Sequence, residues 1–292
     1  MVEGKIITLR DIDVDAYGHL NNSKYSRYFL PFELDALSRT PFAGYHLAIS
    51  QTWFKKEVIP GDNLSIESIV RKLHGDIIIL DDEKKTKTKQ KRAVQIQSTL
   101  RQDKDALAVR KAIYGINFPE EKSMEQRIEQ IKRRASNEYQ KTPEIGFFQG
   151  RGLLPEVYEQ LFGEGVKDLL RQRGLLPRDL LPENLGFLVV HSKYSYFRDV
   201  IIPAQVEKDA EIPLYFTVTS GIRFSRYTAN AYAYIESVLK ANGEVIGIGE
   251  TRNCFVRIEE DGAKKMIIKP QKDLIEKVSR KNGSEHRILR EE

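Results

Sequence analysis

Between residues 11 and 25 the chain reads Asp11-Ile12-Asp13-Val14-Asp15-Ala16-Tyr17-Gly18-His19-Leu20-Asn21-Asn22-Ser23-Lys24-Tyr25. Carboxylates, an imidazole, a glycine and two asparagines thus lie directly before a helical pattern. Attack on a carbonyl carbon needs a base or nucleophile beside it and hydrogen-bond donors for the developing oxyanion. A carboxylate just before a helix start supplies both kinds of group. Asp15 would be that carboxylate. Backbone amides at the helix start, approached closely where Gly18 has no side chain, would polarise the carbonyl oxygen. His19 would orient water or a carboxylate. The same residues also have purely structural uses: aspartates before a helix form turns and caps, a lone histidine is commonly a hydrogen-bonded structural residue, and Asn21 or Asn22 can cap the helix.

The elements that must hold these residues follow from the apolar pattern. Tyr25, Tyr28, Phe29, Phe32 and Ala36 recur at spacings of three and four, which makes one apolar face of a helix. Pro31 falls inside it; a proline there removes a backbone bond at a cost of about 3 kcal/mol, so a kink or early break is expected. A short strand at Lys5–Arg10 precedes the motif. Runs rich in β-branched and aromatic residues follow at Ala48–Phe54, Leu64–Val70, Ile77–Leu80, Ala93–Leu100 and Ala108–Phe118, and suggest an antiparallel sheet. Residues 119–142 are densely charged and read as a linker helix.

The second half repeats this order. Val157, Tyr158, Leu161, Phe162, Gly165, Leu169 and Leu170 outline another amphipathic helix. Strand-like runs follow at Phe187–Phe197, Ile212–Thr219, Ala229–Leu239 and Val245–Ile258, with Asn242-Gly243 as a type I′ hairpin signal. One helix and one antiparallel sheet, twice over, imply an α+β architecture. Two local matches support a duplication: Trp53-Phe54-Lys55 through Ile59-Pro60-Gly61 parallels Tyr196-Phe197-Arg198 through Ile202-Pro203-Ala204, and Tyr25 and Phe29 parallel Tyr158 and Phe162.

The run Asp13, Asp15, Gly18, His19, Leu20, Asn21, Asn22, then Tyr25, resembles the D-x-D-x-x-G-H-[VL]-N-N signature of the 4-hydroxybenzoyl-CoA and acyl-ACP thioesterases. The resemblance implies two tandem hot-dog domains, each an antiparallel sheet wrapped around a central helix. Residues 1–118 would carry the motif, 119–142 would link, 143–270 would form a degenerate second domain, and 271–292 a charged tail. It also implies hydrolysis of an acyl thioester on CoA or acyl carrier protein, with Asp15 as general base or nucleophile and His19 assisting. Gly18, Asn21, Asn22, Tyr25 and Glu57 would surround the substrate. Glu57 is a loose match to a family glutamate and, beside Lys55 and Lys56, reads equally as a solvated strand residue. Tyr17 stands where acyl-ACP thioesterases carry a catalytic asparagine.

Aligning Tyr158 with Tyr25 puts Phe148 at the place of Asp15, Arg151 at Gly18 and Gly152 at His19, so no carboxylate is expected at the second helix start. The second half would complete the first half's pocket as an intrachain pseudo-dimer with one competent site; a homo-oligomer is left open. Two rivals remain: an enoyl-thioester hydratase on the same fold, against which Gly18-His19-Leu20-Asn21-Asn22 argues, and a non-catalytic acyl-thioester binding or scaffold protein.

Composition narrows the setting. With 292 residues, 40% hydrophobic and 30% charged, the chain is an ordinary globular one. The lone Cys254 excludes an intrachain disulfide and a thiolate metal cluster, which fits the cytoplasm. Neither cofactor nor metal is expected. Met1–Asp11 lacks a signal-peptide pattern, and no apolar run approaches the ~20 residues that span a bilayer, so no membrane insertion is expected. The net charge of +5, against 47 basic and 42 acidic residues, is no argument for nucleic acid. Lys84, Lys85, Lys87, Lys89, Lys91 and Arg92 crowd one stretch, read as a solvated hairpin tip or a dock for acyl carrier protein or CoA phosphates.

Overall fold

The structure, a computed structural model, describes residues 2–7, 20–59, 64–73, 77–80, 85–88, 93–115, 117–149, 152–201, 214–224, 232–258, 265–267 and 275. Strands β1 (Val2–Ile7), β2 (His46–Phe54), β3 (Leu64–Leu73), β6 (Ala93–Gln102) and β7 (Asp105–Gly115) accompany helix α1 (Tyr25–Ser38), and β4 (Ile77–Leu80) pairs with β5 (Lys85–Thr88) as a separate hairpin. Helix α2 (Glu125–Arg134) and strand β8 (Asn137–Lys141) follow. The short strands β9 (Phe148–Gln149) and β10 (Gly152–Leu153) lead into helix α3 (Pro155–Gln172) and the single turn α4 (Pro177–Leu180). Strands β11 (Leu185–Tyr196), β12 (Phe216–Phe224), β13 (Tyr232–Ala241), β14 (Glu244–Ile258) and β15 (Lys265–Ile267) complete the chain.

The main sheet has the order β1-β3-β6-β7-β2-β11-β14-β13-β12-β8, with β15 added to β14. Read outward from the central β2–β11 pair, the two sides are the same arrangement: β7, β6, β3, β1 on one and β14, β13, β12, β8 on the other. The α+β expectation of two tandem helix-and-sheet units therefore holds. A polar detail repeats too. Ser68 and Ser98 face each other across β3 and β6 with their hydroxyls 2.7 Å apart, and Ser220 and Ser237 do the same across β12 and β13, all four buried.

Side chains alternate between the faces of a strand, and one face of this sheet lies against both long helices. Helix α1 packs on β3 and β6, α3 on β12, β8 and β13, and the two helices touch each other. Beneath them lie Ile66, Leu100 and Leu107 in the first half and Phe216, Val218 and Leu239 in the second. Helix α2 covers the other face, where Ile128 and Ile131 pack on Val238, Val245 and Ile248. The charged stretch 119–142 thus contains an amphipathic helix and ends in the edge strand β8, which pairs with β12.

Three local expectations change. Helix α1 runs through Pro31 without a break. Proline removes the bond to the carbonyl of Arg27, and both residues lie on the exposed face, where solvent can take that carbonyl while Phe29, Leu30, Glu33 and Leu37 stay buried on the other. Neither asparagine caps the helix: Asn22–Lys24 forms a 3-10 turn, the Lys24 amide donates to the Asn21 carbonyl at 2.8 Å, and Lys24 itself takes the cap position. Two residues of the lysine run, Lys85 and Lys87, belong to strand β5; Lys84, Lys89, Lys91 and Arg92 lie outside the described residues. The Asn242-Gly243 expectation is met, with both φ angles positive at 47° and 85°.

Candidate functional site

Asp13, Asp15, Tyr17, Gly18 and His19 lie outside the described residues. The corner into which they lead is described from Leu20 onward. The Leu20 amide donates to the Val58 carbonyl at 2.7 Å, tying the segment before α1 to the exit of β2. Tyr25, the first residue of α1, is buried, with its ring 4.9 Å from that of Phe54 at the end of β2. Asn21 and Asn22 are half-buried in the turn that precedes the helix, and this turn packs against α3 of the other half. Glu57 is exposed on the β2 exit, one residue before Val58. Helix start, strand exit and the opposite helix thus meet at one place.

The second half builds the same corner. The Leu153 amide donates to the Val200 carbonyl at 2.9 Å, as Leu20 does to Val58, and the Tyr158 and Tyr196 rings lie 5.2 Å apart, as Tyr25 and Phe54 do. This corrects the alignment of the halves. Phe54 pairs with Ala108 and Tyr196 with Gly247 on corresponding strands, so Phe54, not Trp53, is the counterpart of Tyr196. A one-residue slip exchanges the faces of a strand. Trp53 accordingly points away from the helices, its ring 5.0 Å from His191 with the Lys111 ammonium over it.

The corrected register shows a residue that the sequence reading missed. Phe148, half-buried, and Gly152 do stand before α3 where a carboxylate was looked for. Yet Asp199, which precedes Val200 as Glu57 precedes Val58, brings a carboxylate to the second corner from the strand exit. Its Oδ2 lies 2.7 Å from Nδ1 of His46, the first residue of β2 in the other half. The expectation concerned only the residues before the helix; Asp199 approaches the second corner from the strand exit instead.

Between the corners, at the contact of α1 and α3, lies a buried charged cluster. Arg110 on β7 donates from Nε to Glu33 Oε1 of α1 at 2.9 Å and from Nη1 to Glu159 Oε1 of α3 at 2.7 Å. Ser50 donates to Glu159 at 2.7 Å and Tyr114 to Glu33 Oε2 at 2.9 Å. Arg110 and Glu33 are fully buried and Glu159 nearly so. Burial pushes the Glu33 carboxyl above its ordinary range, against the opposing pull of Arg110 and the Tyr114 hydrogen bond. For Arg110 burial acts downward, but the carboxylates of Glu159 and Glu33 outweigh it and hold the guanidinium above its usual value. A signal for this cluster was present in the sequence: Glu33 follows Phe29 by one helical turn on the core face, and Arg110 alternates with Ala108 and Ala112 on the inner face of β7.

Residues 3–113 match the model of the acyl-ACP thioesterase C-terminal domain. A search of curated protein sequences finds no relative. Among solved structures, a 12:0-ACP thioesterase from Umbellularia californica superposes with a TM-score of 0.57 at 8% identity, covering 86% of this chain and 96% of its own. An acyl-ACP thioesterase from Bacteroides thetaiotaomicron VPI-5482 superposes with a TM-score of 0.55 at 10% identity, covering 86% and 97%. The chain has the tandem hot-dog fold of these thioesterase structures. In this double hot-dog the matched model, named for a C-terminal domain, falls on the first half, the half that carries the Asp15 motif. Among the described residues of the double hot-dog, no group of three or more His, Cys, Asp or Glu could hold a metal ion, and no helix is long and apolar enough to cross a membrane.

Proposed function

We propose that the first corner hydrolyses acyl thioesters carried on coenzyme A or acyl carrier protein. Asp15 acts as general base or nucleophile and His19 assists. Backbone amides near Gly18 receive the oxyanion, and Asn21, Asn22, Tyr25 and Glu57 surround the substrate. One observation carries this reading: the stretch that matches the acyl-ACP thioesterase domain contains the Asp15–Asn22 motif, and its continuation runs into the buried start of α1 at Tyr25. The positive end of a helix favours both an anion and a developing oxyanion.

The test is thiol release from a panel of acyl-CoA and acyl-carrier substrates, with dodecanoyl-carrier protein included because a structural neighbour is a 12:0-ACP thioesterase. Asp15→Asn keeps size and shape but removes the charge, so kcat should fall by at least ~100-fold with little change in thioester affinity. His19→Ala should cost less. Near-normal turnover in Asp15→Asn would reduce Asp15 to a turn residue. Loss of enoyl absorbance without thiol would indicate a hydratase, and saturable binding with neither a binding protein.

A further inference from the structure

We propose that Arg173, at the end of α3 in the second half, forms with Lys24 of the first half a phosphate-binding site beside the first corner. The site takes the phosphate of the phosphopantetheine arm that coenzyme A and acyl carrier protein share. The inference rests on the thioester reading of the first corner and names the contact that holds the substrate's carrier there.

The course of α3 puts Arg173 at that corner. The helix starts at the exit of β11, where the Tyr158 and Tyr196 rings lie 5.2 Å apart. By Val166 and Leu169 it shares a core cluster with Phe187, near the start of β11. That end of β11 lies beside the exit of β2, because His191 stands opposite Trp53. Helix α3 therefore runs toward the first corner, and the turn Asn22–Lys24 that packs against it meets its later turns. Glu159 shows which side of α3 faces α1, since it shares Arg110 with Glu33. Val166 and Arg173 follow Glu159 at successive intervals of seven residues, two helical turns each, with a drift of only about 20° per interval. Arg173 thus lies on the α1 side of the helix end.

Its surroundings suit an anion. Arg173 is 7% exposed, whereas Arg171 and Gln172 beside it face solvent. The backbone is fixed: the Arg173 amide donates to the carbonyls of Leu169 and Leu170 at 3.1 and 3.2 Å, Gly174 turns the chain with φ of 62°, and Leu175 is buried. Arg171 is paired with Asp168. The Arg173 guanidinium has no hydrogen-bond or ion-pair partner among the described residues, and neither has the ammonium of half-buried Lys24. Burial pulls the Arg173 guanidinium below its ordinary range, with no carboxylate opposing it. A buried cation without a counter-charge is costly, and an anion that neutralises it is correspondingly favoured. The planar guanidinium matches two phosphate oxygens, and a lysine adds a second positive charge. Because the cations come from different halves, the site exists only in the full chain.

The experiment measures kcat/KM for thiol release by the full chain from three dodecanoyl thioesters: those of coenzyme A, of acyl carrier protein and of N-acetylcysteamine, which carries no phosphate. Arg173→Ala should lower kcat/KM about tenfold or more for the first two, through KM, and less than about twofold for the third, as loss of charge-assisted hydrogen bonds requires. Arg173→Lys, which keeps the charge, should recover part of the loss, and Arg171→Ala beside it should change none of the three. Should Arg173→Ala lower the unfolding midpoint, Lys24→Ala on the half-buried turn makes the same comparison with a smaller loss expected. An equal loss on all three thioesters, or no loss on any, overturns the phosphate site and leaves Arg173 a structural residue of the helix end. A loss confined to one of the two carriers overturns the shared group. If no thioester yields thiol, the thioester reading fails, and calorimetry with coenzyme A alone still decides the site: unchanged affinity in Arg173→Ala overturns it, and affinity about tenfold weaker upholds it.

Discussion

At the scale of single residues, the buried Glu33–Arg110–Glu159 cluster sets the strongest constraint, because two carboxylates share one guanidinium away from water. Removing the shared cation leaves uncompensated charge in the core. Arg110→Leu should therefore destabilise the fold by roughly 3–5 kcal/mol, read from urea unfolding, whereas replacing all three residues by apolar ones of similar volume should cost far less. Glu33 adds a pH dependence whose sign follows from its raised pKa. Between the ordinary carboxylate value of 4.5 and the raised value in the fold, the unfolded chain has released this proton while the folded chain still holds it. The contribution to stability is full below that value and is lost as pH rises through the folded pKa. In Glu33→Gln this fall should be absent, so the stability difference between variant and wild type should change with pH in the variant's favour above 4.5. A difference independent of pH would mean that Glu33 does not hold its proton in the fold.

At the scale of elements, the helices are held by close approach to the sheet as much as by their own sequence. Gly165 on α3 faces Val218 of β12, and a Cβ added there would lie within 2.7 Å of the valine Cβ. The clash is with the branched stem of a fully buried side chain, which has no room to turn away. Gly165→Ala should destabilise by roughly 1–3 kcal/mol despite the better helix propensity of alanine, seen as a lower urea midpoint. A stabilised variant would show that α3 can lift from the sheet. The elements themselves were legible in the sequence, since apolar period three to four marked α1 and α3 and β-branched runs marked the long strands. The uncapped start of α1 and its passage through Pro31 were not, because the first depends on an inserted 3-10 turn and the second on which face of the helix meets water.

At the scale of the whole molecule, β2 and β11 join the halves along the centre of the sheet, with His191 to Ser195 opposite Trp53 to Ile49. A chain ending at Phe118 would leave the β2 edge unpaired, with Ser50 and Thr52, both buried in the full chain, open to solvent. Such a fragment should pair with itself along β2 and elute from size exclusion above its monomer mass. A stable monomer would mean that the seam is not needed to protect that edge. The sequence by itself determined the element types, their doubled order and the apolar face of each helix, because periodicity is a local property that neighbouring residues impose. It also carried the Asp15–Asn22 motif as a contiguous run. Tertiary structure alone decided that Phe54 rather than Trp53 matches Tyr196, because one residue of register exchanges the two faces of a strand. It alone brought Glu33 and Glu159 to Arg110 across 77 and 49 residues of chain, and His46 to Asp199 across the seam. Those contacts join residues with no local pattern in common, and only the packing of both helices on one continuous sheet places them together.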